Sequence, residues 1–163
     1  MSRKQGGFSL IELLIVVAII LIIAAIAIPN FLRSRISANE ASAVASIRQI
    51  TTAEISYSTS FPLLGYADVL SKLGPTVPPG GPPTSVAADL LSADLGCAGA
   101  PCNKSGYNFF LGGAAGSPIA DISVYATPMS INSSGVRGFC SDHLGPIKYD
   151  PVGGIACTIP IPQ

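Results

Sequence analysis

Charge is what this sequence has least of. Of 163 residues, nine are Lys or Arg and nine are Asp or Glu, so charged side chains make up 11% and the formal net charge is zero. A soluble domain usually carries roughly 25%. A nucleic-acid binder that neutralises phosphates needs a basic surface, and here the Lys and Arg are sparse and dispersed, so no specific nucleic acid is expected. There is one histidine, His143, with no Ser or Cys arrangement around it, and a turn in Asp142-His143-Leu144-Gly145 accounts for it. No Cys-x-x-Cys pair occurs. Asp89, Asp94, Asp121, Asp142 and Asp150 lack calcium-loop spacing. The Gly-rich run Gly112–Gly116 has no Lys after it and reads as a hairpin loop rather than a phosphate cradle. No catalytic site, metal or cofactor is therefore expected, and the chain is read as a non-enzyme. It is too rich in Leu, Ile and Val to be disordered.

The apolar excess sits in one place. Leu13 to Ile28 is an unbroken apolar run of 16 residues, and from Phe8 to Leu32 the only charge is Glu12. Phe8 to Ile28 is 21 residues, which as a helix spans roughly 30 Å, the thickness of a hydrocarbon core. Arg3 and Lys4 ahead of it resemble the basic head of a signal peptide, but the run exceeds the ~7–15 residues of an ordinary signal core. No compelling small-x-small cleavage site stands out from Ala24 to Ala27, so the helix is expected to stay on the protein.

Helical periodicity continues beyond Pro29, a residue expected to kink the helix by removing one backbone bond. Ile36, Ala43, Ile47, Ile50 and Tyr57 recur on one stripe, flanked by Val44 and Ile55, while Arg33, Arg35, Asn39 and Gln49 lie largely away from it. The helix should end near Ser60, before Pro62. From Phe61 to about Ser105 the chain turns loop-like. Ala67–Leu73 has room for two helical turns stopped by Gly74, and Val86–Leu95 for a short helix capped by Ser85. Between them Gly74–Pro83 carries five prolines in ten residues, which excludes both helix and central strand. Tyr107–Leu111, Ile119–Ala126, Val136–Ser141 and Ile147–Tyr149 read as strands. Their short spacing favours hairpins over parallel crossovers. The expected fold is α+β: a long N-terminal helix, half membrane and half amphipathic, packed on three or four antiparallel strands.

Cys97, Cys102, Cys140 and Cys157 form an even set beyond the apolar helix, which suits disulfides in an oxidising compartment. Nearest-neighbour pairing, 97 with 102 and 140 with 157, is one of three connectivities. A metal site is the rival reading.

The N-terminus reads Arg3-Lys4-Gln5-Gly6-Gly7-Phe8-Ser9-Leu10-Ile11-Glu12 and then the apolar run. A basic leader, Gly, Phe, Ser or Thr, Leu, x, Glu and a hydrophobic helix closely resembles the prepilin signature of type IV pilins and type II secretion pseudopilins. The resemblance covers roughly the first 60 residues, and the seven-residue leader and Phe8 look like the type IVa class. It implies a leader at 1–7, a long helix at 8–60 with its transmembrane and assembly segment at 8–28, and a pilin-like globular head at 61–163. It further implies that a membrane prepilin peptidase cuts between Gly7 and Phe8, that Phe8 is N-methylated, and that Phe8 and Glu12 direct assembly by pairing between neighbouring subunits. Leu21 departs from the pattern, standing where many such pilins carry a helix-loosening Gly.

Cleavage there leaves seven basic against nine acidic side chains and creates an amine at Phe8. An acidic residue at mid-membrane costs on the order of 2–3 kcal/mol by insertion scales, and a cationic amine nearby offsets it. The first expectation is a type IV pilus subunit, a self-associating helical homopolymer. It would sit as a single-pass inner-membrane protein before the inner-membrane assembly machinery extracts it into an extracellular pilus. The second is a pseudopilin of a type II secretion or DNA-uptake apparatus, forming a periplasmic pseudopilus. The third is a membrane-anchored binding domain that never polymerises.

Overall fold

The computed structural model describes residues 8–161. The chain divides into two compact units, one ending at Arg35 and the other beginning at Ile36. One helix, α1, runs Leu10–Ser60 with Pro29 inside it. Proline is tolerated there because only one backbone bond is forfeited in a helix of 51 residues. The helix ends where the sequence analysis expects it to.

In the second unit the amphipathic stripe is buried as the 3.6-residue period requires. Ala43, Ile47, Ile50 and Tyr57 are fully buried, and the stripe also contains Glu40 and Glu54, both buried carboxylates. Ile55, on the expected flank, is half exposed. The helix packs against six antiparallel strands in sequential order: β1 Cys102–Lys104, β2 Tyr107–Gly112, β3 Ser123–Pro128, β4 Gly138–Asp142, β5 Ile147–Asp150 and β6 Ile159–Pro160. The α+β, pilin-like architecture is as the sequence implies, with two short edge strands beyond the expected four. In β3, burial alternates residue by residue, which is the two-residue period of a sheet with one covered face. Tyr107, Phe109, Val124, Ala126 and Phe139 join the helix stripe in one apolar cluster. On the other face, Phe110 and Tyr125 are directly opposed in register and stack with ring centroids 5.3 Å apart.

Two local expectations are corrected. Instead of two helical turns over Ala67–Leu73 there is a single 3₁₀ turn, Leu70–Leu73. The helix expected over Val86–Leu95 does not form. Its backbone N–H groups are engaged elsewhere: Ala88 donates to Lys72 O, and Leu90 and Leu91 both donate to Leu73 O. Tertiary hydrogen bonds to the 3₁₀ turn replace the i to i−4 ladder, and they bring Ala88, Leu91 and Leu95 into the core. Gly74–Pro83 contains neither helix nor strand, as its prolines demand.

Cys97–Cys102 and Cys140–Cys157 are disulfide-bonded, with Cα atoms 5.6 and 6.0 Å apart. No cysteine is left free to ligate a metal. The first bridge closes the loop leading into β1. The second ties β4 to the segment before β6.

Candidate functional site

The first unit is defined by what covers it: nothing. From Phe8 to Arg35 only Ala24 is less than exposed, and the rest of the apolar run lies on the surface of the isolated chain. Within this helix is a stretch long and apolar enough to cross a membrane, near the N-terminus, with none of its window buried. So large a contiguous apolar surface marks a membrane or assembly contact.

The start of the helix is chemically specific. Ser9 immediately precedes the first helical residue, Leu10. Its carbonyl accepts the Leu13 N–H at 3.2 Å, and its N–H donates to Glu12 Oε2 at 2.9 Å. Ser9-Leu10-Ile11-Glu12 thus supplies the back-reaching half of a capping box, with the carboxylate at the positive end of the helix dipole. Among the described residues only Oε2 of Glu12 is engaged in this way. Phe8, next to it, is 81% exposed. Gly7 and the expected leader lie outside the described residues. Pro29 sits within the same unit, one turn before Arg33.

A second constellation anchors the helix to the sheet. Glu40 Oε1 accepts the backbone N–H groups of Val136 and Arg137 at 3.0 and 3.1 Å. Glu40 Oε2 accepts Arg137 Nε and Nη2 at 2.9 and 2.6 Å. Burial resists ionisation of Glu40, but the Arg137 guanidinium and the two amides outweigh it and hold the carboxyl below its ordinary value. The guanidinium also lies 5.5 Å from the Phe139 ring centroid and 5.3 Å from that of Tyr149. Beside it the Tyr107 hydroxyl donates to Arg137 O at 2.8 Å, and burial pushes this phenol upward. Sequence reasoning missed this clamp. The available signal was a carboxylate on the apolar stripe itself, at i−3 and i−7 from Ala43 and Ile47.

His143 lies in the turn after β4, where Leu144 N–H donates to Asp142 Oδ1 at 3.0 Å, and its Nδ1 is 3.3 Å from Asp121 Oδ1. Gly112 ends β2, and residues 113–116 fall in the β2–β3 connection.

Residues 2–28 match the prokaryotic N-terminal methylation motif. The chain is 38% identical over 73 residues to the type IV major pilin protein PilA of Myxococcus xanthus, covering 45% of this chain and 32% of that protein. It is 60% identical over 38 residues to the type IV wide pilus major component PilA4 of Thermus thermophilus, covering 23% of this chain and 29% of that one. The chain thus spans about a third of the length of these curated relatives. No solved structure matches it. The methylation motif ends at Ile28, so it takes in the exposed apolar run and leaves the sheet-bearing unit outside it.

Proposed function

We propose that this chain is the structural subunit of a type IV pilus. The observation that carries the reading is the uncovered apolar helix headed by Phe8-Ser9-Leu10-Ile11-Glu12. Before assembly the membrane covers this helix, and a prepilin peptidase removes residues 1–7 by cutting between Gly7 and Phe8. The new amine is N-methylated. In the filament the apolar surface is reburied against other copies, so the hydrophobic term lost on leaving the bilayer is recovered by helix packing. The Phe8 amine of one subunit pairs with Glu12 of its neighbour. That carboxylate already lies at a helix start, with one oxygen directed back to Ser9. The names of both curated relatives, each a major pilus component, favour a pilus over a pseudopilus.

N-terminal sequencing of the protein from membranes of a host with the peptidase tests the processing step. The mature chain should begin at N-methylated Phe8, and Gly7→Val should leave Arg3 and Lys4 attached. A mature terminus anywhere else defeats the reading.

A further inference from the structure

Glu54 plays no part in the assembly chemistry, yet it is 1% exposed. Its Oε2 accepts the Ala67 N–H at 2.8 Å, while its Oε1 is buried with no hydrogen-bond partner. Among the described residues no cation is paired with it. Lys72 is committed to Asp68, Nζ to Oδ1 at 2.7 Å, and the Asp68 carboxylate adds a like charge next to the Ala67 amide. One turn along α1, the Tyr57 hydroxyl donates to Ser85 O at 2.6 Å. The segment on which Glu54 acts joins α1 to the 3₁₀ turn, and that turn in turn holds residues 88–91 through Lys72 O and Leu73 O.

We propose that Glu54 is a pH-sensitive latch, holding segment 61–73 on α1 as a neutral carboxylic acid and loosening it on ionisation. The neutral acid leaves only one polar atom unpaired in the core. The carboxylate would leave an uncompensated buried charge, a far costlier arrangement. Burial, opposed by the Ala67 amide and reinforced by Asp68, pushes this carboxyl up from 4.5 to about 7. The sign follows. Below pH 4.5 the group is protonated in both the docked and the released segment. Between there and about 7 only the docked segment keeps the proton, and above that the ionised group favours release.

Besides Tyr57, Asp68 and Lys72, a histidine faces this segment. The His143 ring lies 6.1 Å from that of Tyr66, with Asp121 beside it, so a histidine control is required.

The test is hydrogen exchange, followed by mass spectrometry on the full chain in detergent micelles and corrected for intrinsic exchange rates. Protection of peptides spanning 61–74 should fall on the order of 10²-fold from pH 5 to pH 8. The fall should vanish in Glu54→Gln and persist in His143→Asn. Equal protection at both pH values, persistence in Glu54→Gln, or loss in His143→Asn would each overturn the proposal. If Glu54→Gln does not fold, carbon-13 NMR of the Glu54 carboxyl in the parent decides. Titration near neutrality supports the latch, and titration at the ordinary carboxylate value overturns it.

Discussion

Three carboxylates on one helix have three different fates, each set by its partners. Glu12 is exposed and bonded to the Ser9 amide, Glu40 is buried against an arginine and two amides, and Glu54 is buried against one amide. Glu40→Ala should destabilise the second unit by about 2–4 kcal/mol, because two amides and a guanidinium lose their acceptor while the exposed side of Arg137 keeps water. Chemical denaturation of mutant and parent would measure it. With its carboxyl held below the ordinary value, Glu40 contributes stability that is present above pH 4.5 and lost as pH falls through its folded value. Parent and Glu40→Gln should therefore converge in stability at low pH. Glu12→Ala should behave differently, leaving the monomer folded and membrane-inserted. In a filament the mutation would strand the neighbour's Phe8 amine without a counter-charge, at a cost of about 3–5 kcal/mol, so filament yield should collapse. Comparing membrane-fraction protein with sheared filaments separates the two effects, and an undiminished yield would refute the pairing.

At the scale of elements, the head depends on hairpin geometry and two covalent closures. The β1–β2 hairpin turns through Ser105 and Gly106, both at positive φ, the geometry of the type I′ turn. A side chain at Gly106 would also press against Ser134, so Gly106→Val should lower the melting temperature of the head markedly. In the loop-entropy treatment the Cys140–Cys157 bridge contributes about 3 kcal/mol and the shorter Cys97–Cys102 bridge about 2. Paired Cys→Ser variants, compared by thermal melts, should rank in that order. The long helix and the four main strands were legible because apolar periodicity and turn residues coincide there. The edge strand β1 was not, since three residues beside a Ser-Gly turn carry no periodic signal. Nor was the fate of Val86–Leu95, whose local pattern suits a helix but whose amides find better-placed acceptors in the 3₁₀ turn. At the helix start, the motif singled out Glu12 but not its bond to the Ser9 amide. The Glu40–Arg137 clamp was not legible, because it joins residues 97 apart in sequence.

At the scale of the whole molecule, a folded head with its own core is joined to a helix whose apolar surface the chain itself leaves uncovered. Such a molecule needs an apolar surrounding for that helix, and in the function proposed here its own copies supply it. Electron microscopy of filaments sheared from the cell surface, with mass spectrometry of the same sample, tests this most directly. The account predicts thin filaments built of this chain, beginning at Phe8, with both disulfides intact. Surface filaments that lack the chain, while the chain remains quantitatively in the membrane fraction, would contradict it.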